Sequence, residues 1–522
     1  MKFQSQNIRL YVLAILSGVA LVCSFPKYGA GWVAWFALVP LLLALRTITA
    51  PLKAAVVGLI TGLVFYGGLL YWIPQVIITY GKIPFGLGVL ALVLLSVYLS
   101  LYLACFAAAL VYLRERDFAE FVTAPLLWVG LEFLKTILFT GFPWENLAYS
   151  QYKYLTVIQF SDITGIYGVS FLIVFMNTVL ADILMERKKR KRVFLEMIFG
   201  CVTLFLLLGY GTFSLNRVSA ELNRGEAMEV SLIQGNIDQS VKWSPLYQQG
   251  TVDIYRILSL RNAPIGEGLI VWPETAMPFF FRHNRQFSPQ VRSVAKLASD
   301  WLLFGSPSYQ KDGEQIRYMN SAFLISPDGG VVQKYDKVHL VPYGEYVPLR
   351  AFFPFLGRLV EGADDFRRGE HITPLPLGKH ALGVLICYEG IFPRISRDYK
   401  RKGAGLLVNI TNDAWFGMTS APYQHLSMTV FRAVENRTFL LRSANTGISA
   451  IISPTGRIVK QTNLFERTAL KGSIKFLDRK TIYTLYGDMF AYVCLILLGL
   501  IILTAKKGAS PCLMNLWKRQ RI

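Results

Sequence analysis

Long uncharged apolar runs fill the first two fifths of the chain, and short apolar runs broken by turn residues fill most of the rest. A bilayer core about 30 Å thick needs roughly 20 apolar residues per helix. Runs of that kind lie at residues 8–25, 31–46, 54–73, 86–113, 122–140, 165–184, 193–213 and, after a long interval, 486–505, which predicts about eight membrane spans. The first run follows Lys2 and Arg9, as in a cleaved leader. However, "VCSFPKYG" is a poor small-residue cleavage site and further spans follow at once, so the run reads as retained.

Near Asn216 the helical periodicity stops. "VSLIQGN" (230–236), "GLIVWPE" (268–274), "WLLFGSP" (301–307), "SAFLIS" (321–326), "LGVLICYE" (382–389), "GLLVNITND" (405–413) and "ISAIIS" (448–453) read as strands. "SPDGGVV" and "SPTGRIV" read as hairpin turns in which Gly supplies positive φ. Residues 286–300 and 421–440 read as helices. Buried strands mixed with helices predict a layered α/β sandwich. The expected organisation is a transmembrane bundle of about seven helices over 1–213, a sandwich domain over 214–485, and a final helix with a basic tail over 486–522.

Composition supports the membrane reading: 53% of the 522 residues are hydrophobic. The net charge of +21 needs no nucleic-acid partner, because much of it flanks the spans, as in "RKKRKR" at 187–192 and "KRQR" at 518–521. Arg46 and Lys53, Arg114 and Arg116, and the 187–192 cluster fall in alternate loops, which predicts that these loops and both termini are cytoplasmic and that 214–485 lies on the other side. Of the six cysteines, Cys23, Cys105, Cys201 and Cys494 lie in or beside spans and Cys512 in the basic tail, leaving Cys387 alone in the large domain. A single cysteine on an oxidising side is buried and inert, paired with another chain, or reactive.

Three strand-end positions carry reactive groups: Glu274 after "LIVWP", Cys387 after "GVLI", and Lys337 just after a hairpin. Sites in layered α/β proteins form at carboxyl ends of strands, where distant positions converge. A carboxylate can take the proton of a thiol, and an ammonium can stabilise the thiolate and an oxyanion formed at an acyl carbon. Taken singly, a buried cysteine is more often a core residue, and strand-end Glu and Lys are usually solvated.

The blocks "GLIVWPET", "KYDKVHLVPYGEYVP" and "GVLICYE" resemble the Glu, Lys and Cys blocks of the carbon-nitrogen hydrolase (nitrilase) superfamily. Set between membrane spans, and joined by "QGNIDQSVKW" (234–243) and "NITNDAWFG" (409–417), they resemble the apolipoprotein N-acyltransferase family along essentially the whole chain. The resemblance implies a nitrilase-like αββα sandwich on the periplasmic side of a bacterial inner membrane. It implies Glu274 as general base, Cys387 as nucleophile and Lys337 as stabiliser of the tetrahedral intermediate, supported by Glu345, Trp243, Tyr388 and Glu389. It further implies a monomer without metal or organic cofactor. Its acyl donor would be a phospholipid opened at the sn-1 ester and its acceptor the α-amine of an S-diacylglyceryl apolipoprotein, with a thioester between them in a ping-pong scheme.

Other segments carry weaker expectations. "AFFPFLGRLVEG" (351–362) is a lid dipping toward lipid or packs on the domain core, and the aromatics of "GFPWENLAYSQY" (141–152) line an acyl entrance or form an ordinary interfacial belt. Glu132 and Lys135, three apart in a span, are functional or pair with each other. His283, His339, His371, His380 and His425 show no zinc-ligand spacing, and His339, two residues after Lys337, supports that residue or, as is commoner for such a position, is solvated or in the core. Two rival classes remain: a membrane-anchored amidase using the same three residues, disfavoured by the extent of hydrophobic structure, and a non-catalytic scaffold, disfavoured by the complete trio.

Overall fold

The computed structural model describes residues 2–81, 83–185, 190–346 and 366–506. The segment 351–362, Cys512, the 518–521 run and part of the 187–192 cluster lie outside the described residues. The membrane half is built from α1 (Lys2–Ser24), α2 (Pro51–Leu69), α3 (Phe85–Arg114), α4 (Glu120–Ile137), α5 (Ile166–Met185) and α6 (Arg190–Arg224). These six are long and apolar enough to cross a bilayer. Two further apolar helical segments, Gly31–Leu45 and Met489–Ala505, are shorter, the first rising only about 22 Å at helical pitch. The α6 helix runs unbroken to Arg224, so the transition from apolar to polar sequence near Asn216 is not a break in secondary structure.

One end of the bundle is closed by ion pairs between partly buried arginines and buried carboxylates. Arg46 Nε lies 2.8 Å from Glu120 Oε2, Arg46 Nη2 lies 2.8 Å from Asp182 Oδ1, and Arg114 Nη1 lies 3.5 Å from Glu120 Oε1. Burying such charges is tolerated only when they are paired, so the residues that flank separate spans are drawn to a common end. At the opposite end the loops around Pro26, Trp72 and residues 141–152 meet the sandwich domain.

That domain contains β1 (Ala227–Gln234), α7 (Gln248–Arg261), β2 (Leu269–Val271), α8 (Ser288–Ala298), β3 (Trp301–Asp312), β4 (Gln315–Ile325), β5 (Val331–Asp336), β6 (Leu375–Leu377) and β7 (His380–Ile386). It continues with α9 (Pro393–Arg401), β8 (Leu406–Thr411), α10 (Ala421–Asn436), β9 (Phe439–Ala444), β10 (Ala450–Ile452), β11 (Ile458–Gln461) and β12 (Thr468–Lys475), before α11 (Met489–Lys506). Two six-stranded sheets form, ordered β12-β1-β2-β3-β4-β5 and β11-β10-β9-β8-β7-β6. The central strands β1-β2-β3 and β7-β8-β9 are parallel, and the outer pairs are antiparallel. Both expected hairpin turns join antiparallel neighbours, β4 to β5 and β10 to β11.

The outer face of the first sheet and α7 and α8 enclose a core around Trp272, Tyr255, Val291 and Phe304. A second core is continuous from the membrane helices into the second sheet and α10. The order is therefore helix, sheet, sheet, helix, with the outer helical layer of the second sheet seated on the bundle. Strand β9 was not expected, because the helix over 421–440 was expected to run through its first residues. The helix stops instead at Arg437, which takes left-handed geometry at φ 46°. A glycine at that position would have signalled the stop.

Candidate active site

Short strands deliver the three strand-end residues to one place. Glu274 lies three residues beyond β2, Lys337 directly follows β5, and Cys387 directly follows β7 and opens a single 3-10 turn over Cys387–Ile391. Lys337, 1% exposed, places Nζ 2.9 Å from both Glu345 oxygens and 3.7 Å from Glu274 Oε1. Glu274 Oε1 accepts from Asn320 Nδ2 at 2.8 Å, and Oε2 from the Asn412 backbone N–H at 2.9 Å. The same Asn320 amide donates to Glu345 Oε1 at 3.0 Å, so one β4 side chain fixes both carboxylates. Glu345 Oε2 also takes the Val341 N–H at 2.8 Å, which closes the loop on itself behind Lys337.

The electrostatics follow from this packing. Burial alone would depress the Lys337 ammonium, but Glu345, Glu274 and Cys387 together hold its pKa above the ordinary lysine value, so it stays a cation. Burial, then the Glu274 charge, pushes the Cys387 thiol well above its usual value against the pull of Lys337. The balance favours the protonated thiol over a standing thiolate.

Cys387 adopts φ 51°, left-handed geometry that a non-glycine residue keeps only under constraint. Much of the constraint comes from Glu389. This fully buried carboxyl accepts from Tyr335 Oη (2.8 Å), Val338 N (2.7 Å), His339 N (3.1 Å) and Ile386 N (2.7 Å), with burial raising its pKa to about 7. It thereby rivets the Lys337 loop to the residue before Cys387. Its carboxyl is engaged inward and is no part of a substrate surface.

Tyr388 is buried, with Oη 3.5 Å from Gly141 O in the membrane half and its ring against Phe392. Gly141, at φ 82°, is required there, since a Cβ would lie 2.0 Å from Thr136 O. Trp243 is 48% exposed and follows Lys242, whose buried Nζ donates to Thr275 Oγ1 (2.7 Å) and Glu274 O (3.3 Å). Burial lowers the Lys242 pKa to about 8. His339 packs on Phe392 at 3.9 Å between ring centroids, and burial holds it at about 4, hence neutral.

Within the bundle, Glu132 Oε1 takes the Leu147 N–H at 2.6 Å and Lys135 Nζ donates to Tyr66 Oη at 3.4 Å. The two thus tie the 141–152 loop and α2 to α4. Trp144 in that loop donates to Gln424 at 2.9 Å and lies 5.9 Å from the His425 ring, so this segment meets the side of the sandwich that carries Cys387.

Sequence reasoning did not single out Asn320, Asn412, Asn409, Lys242, Asp413 or Arg442, and considered His425 only as a metal ligand. A signal was present for Asn320, a lone amide interrupting the apolar run of "YMNSAFLI". Asn409, Asn412, Asp413, Arg442 and His425 become legible only when β8, β9 and α10 are brought together, and Lys242 only when its helix is laid against the segment that follows β2.

Residues 17–179 match the family model described as Apolipoprotein N-acyltransferase N-terminal domain, and residues 229–482 match Carbon-nitrogen hydrolase. A protein of Geobacter metallireducens called apolipoprotein N-acyltransferase is 47% identical over 487 residues, covering 93% of each chain. One of the same name from Nitrosomonas europaea is 32% identical over 504 residues, covering 95% of this chain and 97% of its own. On these matches, and with the two sheets and the Glu274, Lys337 and Cys387 cluster in place, the chain belongs to the apolipoprotein N-acyltransferase family.

Proposed function

We propose that this protein transfers an acyl chain from a membrane phospholipid to the α-amine of an S-diacylglyceryl apolipoprotein through a thioester on Cys387. The observation that carries the reading is the Glu274, Lys337 and Glu345 cluster beside a constrained cysteine, at the seam where the sandwich meets the membrane loops. Both substrates are lipid-anchored, and a nucleophile at that seam meets them without leaving the bilayer surface.

In the first half-reaction Glu274 takes the Cys387 proton as sulfur attacks the sn-1 ester carbonyl, and Lys337 stabilises the oxyanion. The intermediate collapses by breaking the bond to the glycerol oxygen. That oxygen receives the proton from Glu274, and lysophospholipid leaves. In the second half-reaction Glu274 deprotonates the incoming amine, nitrogen attacks the thioester carbon, the carbon–sulfur bond breaks and the proton returns to sulfur. Glu345 keeps Lys337 charged and in place. Trp243 follows Lys242, which braces Glu274, Tyr388 follows the nucleophile, and Glu389 holds the nucleophile's turn.

The six long helices and the two shorter apolar ones anchor the domain, with 214–485 on the periplasmic side of a bacterial inner membrane and both termini cytoplasmic. The arginine-rich closed end supports that orientation, because it gathers Arg46 and Arg114 at the end far from the sandwich. The reading is tested by intact mass spectrometry after incubation with phospholipid alone. Wild type should carry a hydroxylamine-sensitive acyl adduct that is discharged by a diacylglyceryl peptide with a free amine, and Cys387→Ser and Glu274→Gln should carry none. Folded, reduced wild type without an adduct would refute it.

A further inference from the structure

The backbone of Cys387 is held by two side chains that the reaction scheme does not use. Its carbonyl oxygen lies 3.2 Å from Asn409 Nδ2 of β8 and 3.2 Å from His425 Nε2 of α10. Asn409 Nδ2 also serves Leu385 O at 2.9 Å, so His425 is the donor aimed at Cys387 alone. Because the acceptor is a carbonyl, Nε2 must carry a proton. The other ring nitrogen, Nδ1, lies 3.1 Å from Arg442 Nη2, a permanent donor, and 3.2 Å from Asp413 Oδ1, a permanent acceptor.

Charge balance decides between the two forms of the ring. Arg442 Nη2 already meets Asp413 Oδ2 at 2.6 Å, Thr411 Oγ1 donates to Asp413 Oδ1 at 2.9 Å, and Arg442 and Asp413 are buried together with the imidazole. That pair is neutral as it stands, and a buried imidazolium would leave one positive charge uncompensated. Burial and then Arg442 hold the His425 pKa below its usual value, in agreement. The ring is therefore neutral, Nδ1 accepts from Arg442, and Nε2–H is locked toward Cys387. The preceding residue, Gln424, binds Trp72, Trp144, Pro26 and Leu69, so this turn of α10 is seated on the membrane half.

We propose that His425 is a positioning residue for acyl transfer: its Nε2–H holds the Cys387 carbonyl in the left-handed turn and so keeps the thiol aimed at Glu274, from a helix fixed by the membrane half. The inference rests on Cys387 being the nucleophile.

The test compares side chains of different reach. The amide nitrogen of His425→Gln reaches the Nε2 position, whereas that of His425→Asn stops near Nδ1, and His425→Met offers no donor. Full-length protein in detergent micelles containing a dipalmitoyl phospholipid is followed by intact mass for single-turnover acylation of Cys387 at several donor concentrations. The saturating rate of the Gln variant should stay within about fivefold of wild type, and the Asn and Met variants should fall by about 30-fold or more with the half-saturating donor concentration nearly unchanged. Should the Met variant not fold, the Gln and Asn pair still decides. Asn acylating as fast as Gln, or Gln as slow as Asn, with matched melting temperatures, overturns the positioning role. A wild-type protein that forms no adduct removes the nucleophile reading and this inference with it, whereas a wild-type adduct with indistinguishable variants removes only the role of His425.

Discussion

Lys242 contributes an ammonium 1% exposed beneath Glu274, and its consequence is a pH dependence of stability. Its pKa is lowered by burial to about 8 from the ordinary 10.5, so between those values the unfolded chain binds the proton and the folded one does not. Stability must therefore rise as pH increases from about 8 toward 10.5, by up to about 3 kcal/mol from this group. Melting temperatures of wild type relative to Lys242→Met should shift in favour of wild type between pH 7.5 and 10; a constant or shrinking difference contradicts the assignment. A second residue-scale constraint is Gly305 of β3. A Cβ there would lie 2.4 Å from Thr275 N and 2.7 Å from Glu274 Cα, and backbone atoms cannot step aside as a side-chain tip does. Gly305→Ala should displace Glu274 and slow Cys387 acylation on the order of 100-fold while donor affinity holds, since small misplacements of reacting groups cost that much.

At the scale of elements, α10 carries the chain's organisation. Every residue of this helix except Tyr423 is buried, because one side lies on the second sheet and the other on the membrane half. Such burial erases the one-sided apolar stripe of a surface helix, so the sequence betrays a helix over 421–440 but not what covers its second face. The partners are polar and specific. Gln424 Oε1 accepts from Trp72 Nε1 (3.1 Å) and Trp144 Nε1 (2.9 Å), while Nε2 donates to Pro26 O (3.2 Å) and Leu69 O (3.1 Å). Gln424→Leu preserves the volume and strands two indole donors and two carbonyls. At about 1–3 kcal/mol per buried unsatisfied group, the melting temperature should drop by about 5–10 °C or more, measured by scanning fluorimetry in detergent. An unchanged melting temperature would mean that water reaches these groups. The strand-end residues were legible because a buried parallel strand announces itself as an apolar run and its end as a sudden polar residue. Asn409 and Arg442 were not, since each lies inside a strand and gains its meaning from β8 and β9 lying side by side.

At the scale of the molecule, the seam between membrane half and sandwich is a core and not a contact surface. Buried residues of the bundle and its loops, such as Trp72, Leu147 and Ile158, belong to one cluster with Phe431, Val434 and Ile451 of the sandwich. The Tyr149 and Phe431 rings meet edge to face at 5.1 Å, and Trp72 meets Phe416 at 5.0 Å. Buried charges cross the same seam: Arg437 Nη2 lies 2.8 Å from Asp162 Oδ2 and donates to Ser214 Oγ at 2.7 Å, and Arg432 Nη2 donates to Tyr149 Oη at 3.0 Å. Removing the membrane half would expose large aromatic and aliphatic side chains, each worth about 1.5–3 kcal/mol when buried, and would leave Arg437 without its carboxylate. Residues 225–481 produced alone should therefore be insoluble or aggregated without detergent, and Asp162→Asn in the full chain should lower its melting temperature measurably. A soluble, monomeric and cooperatively melting fragment would show instead that the two halves are separate folding units. The seam would then serve to place Cys387 against the membrane loops and not to hold the sandwich together.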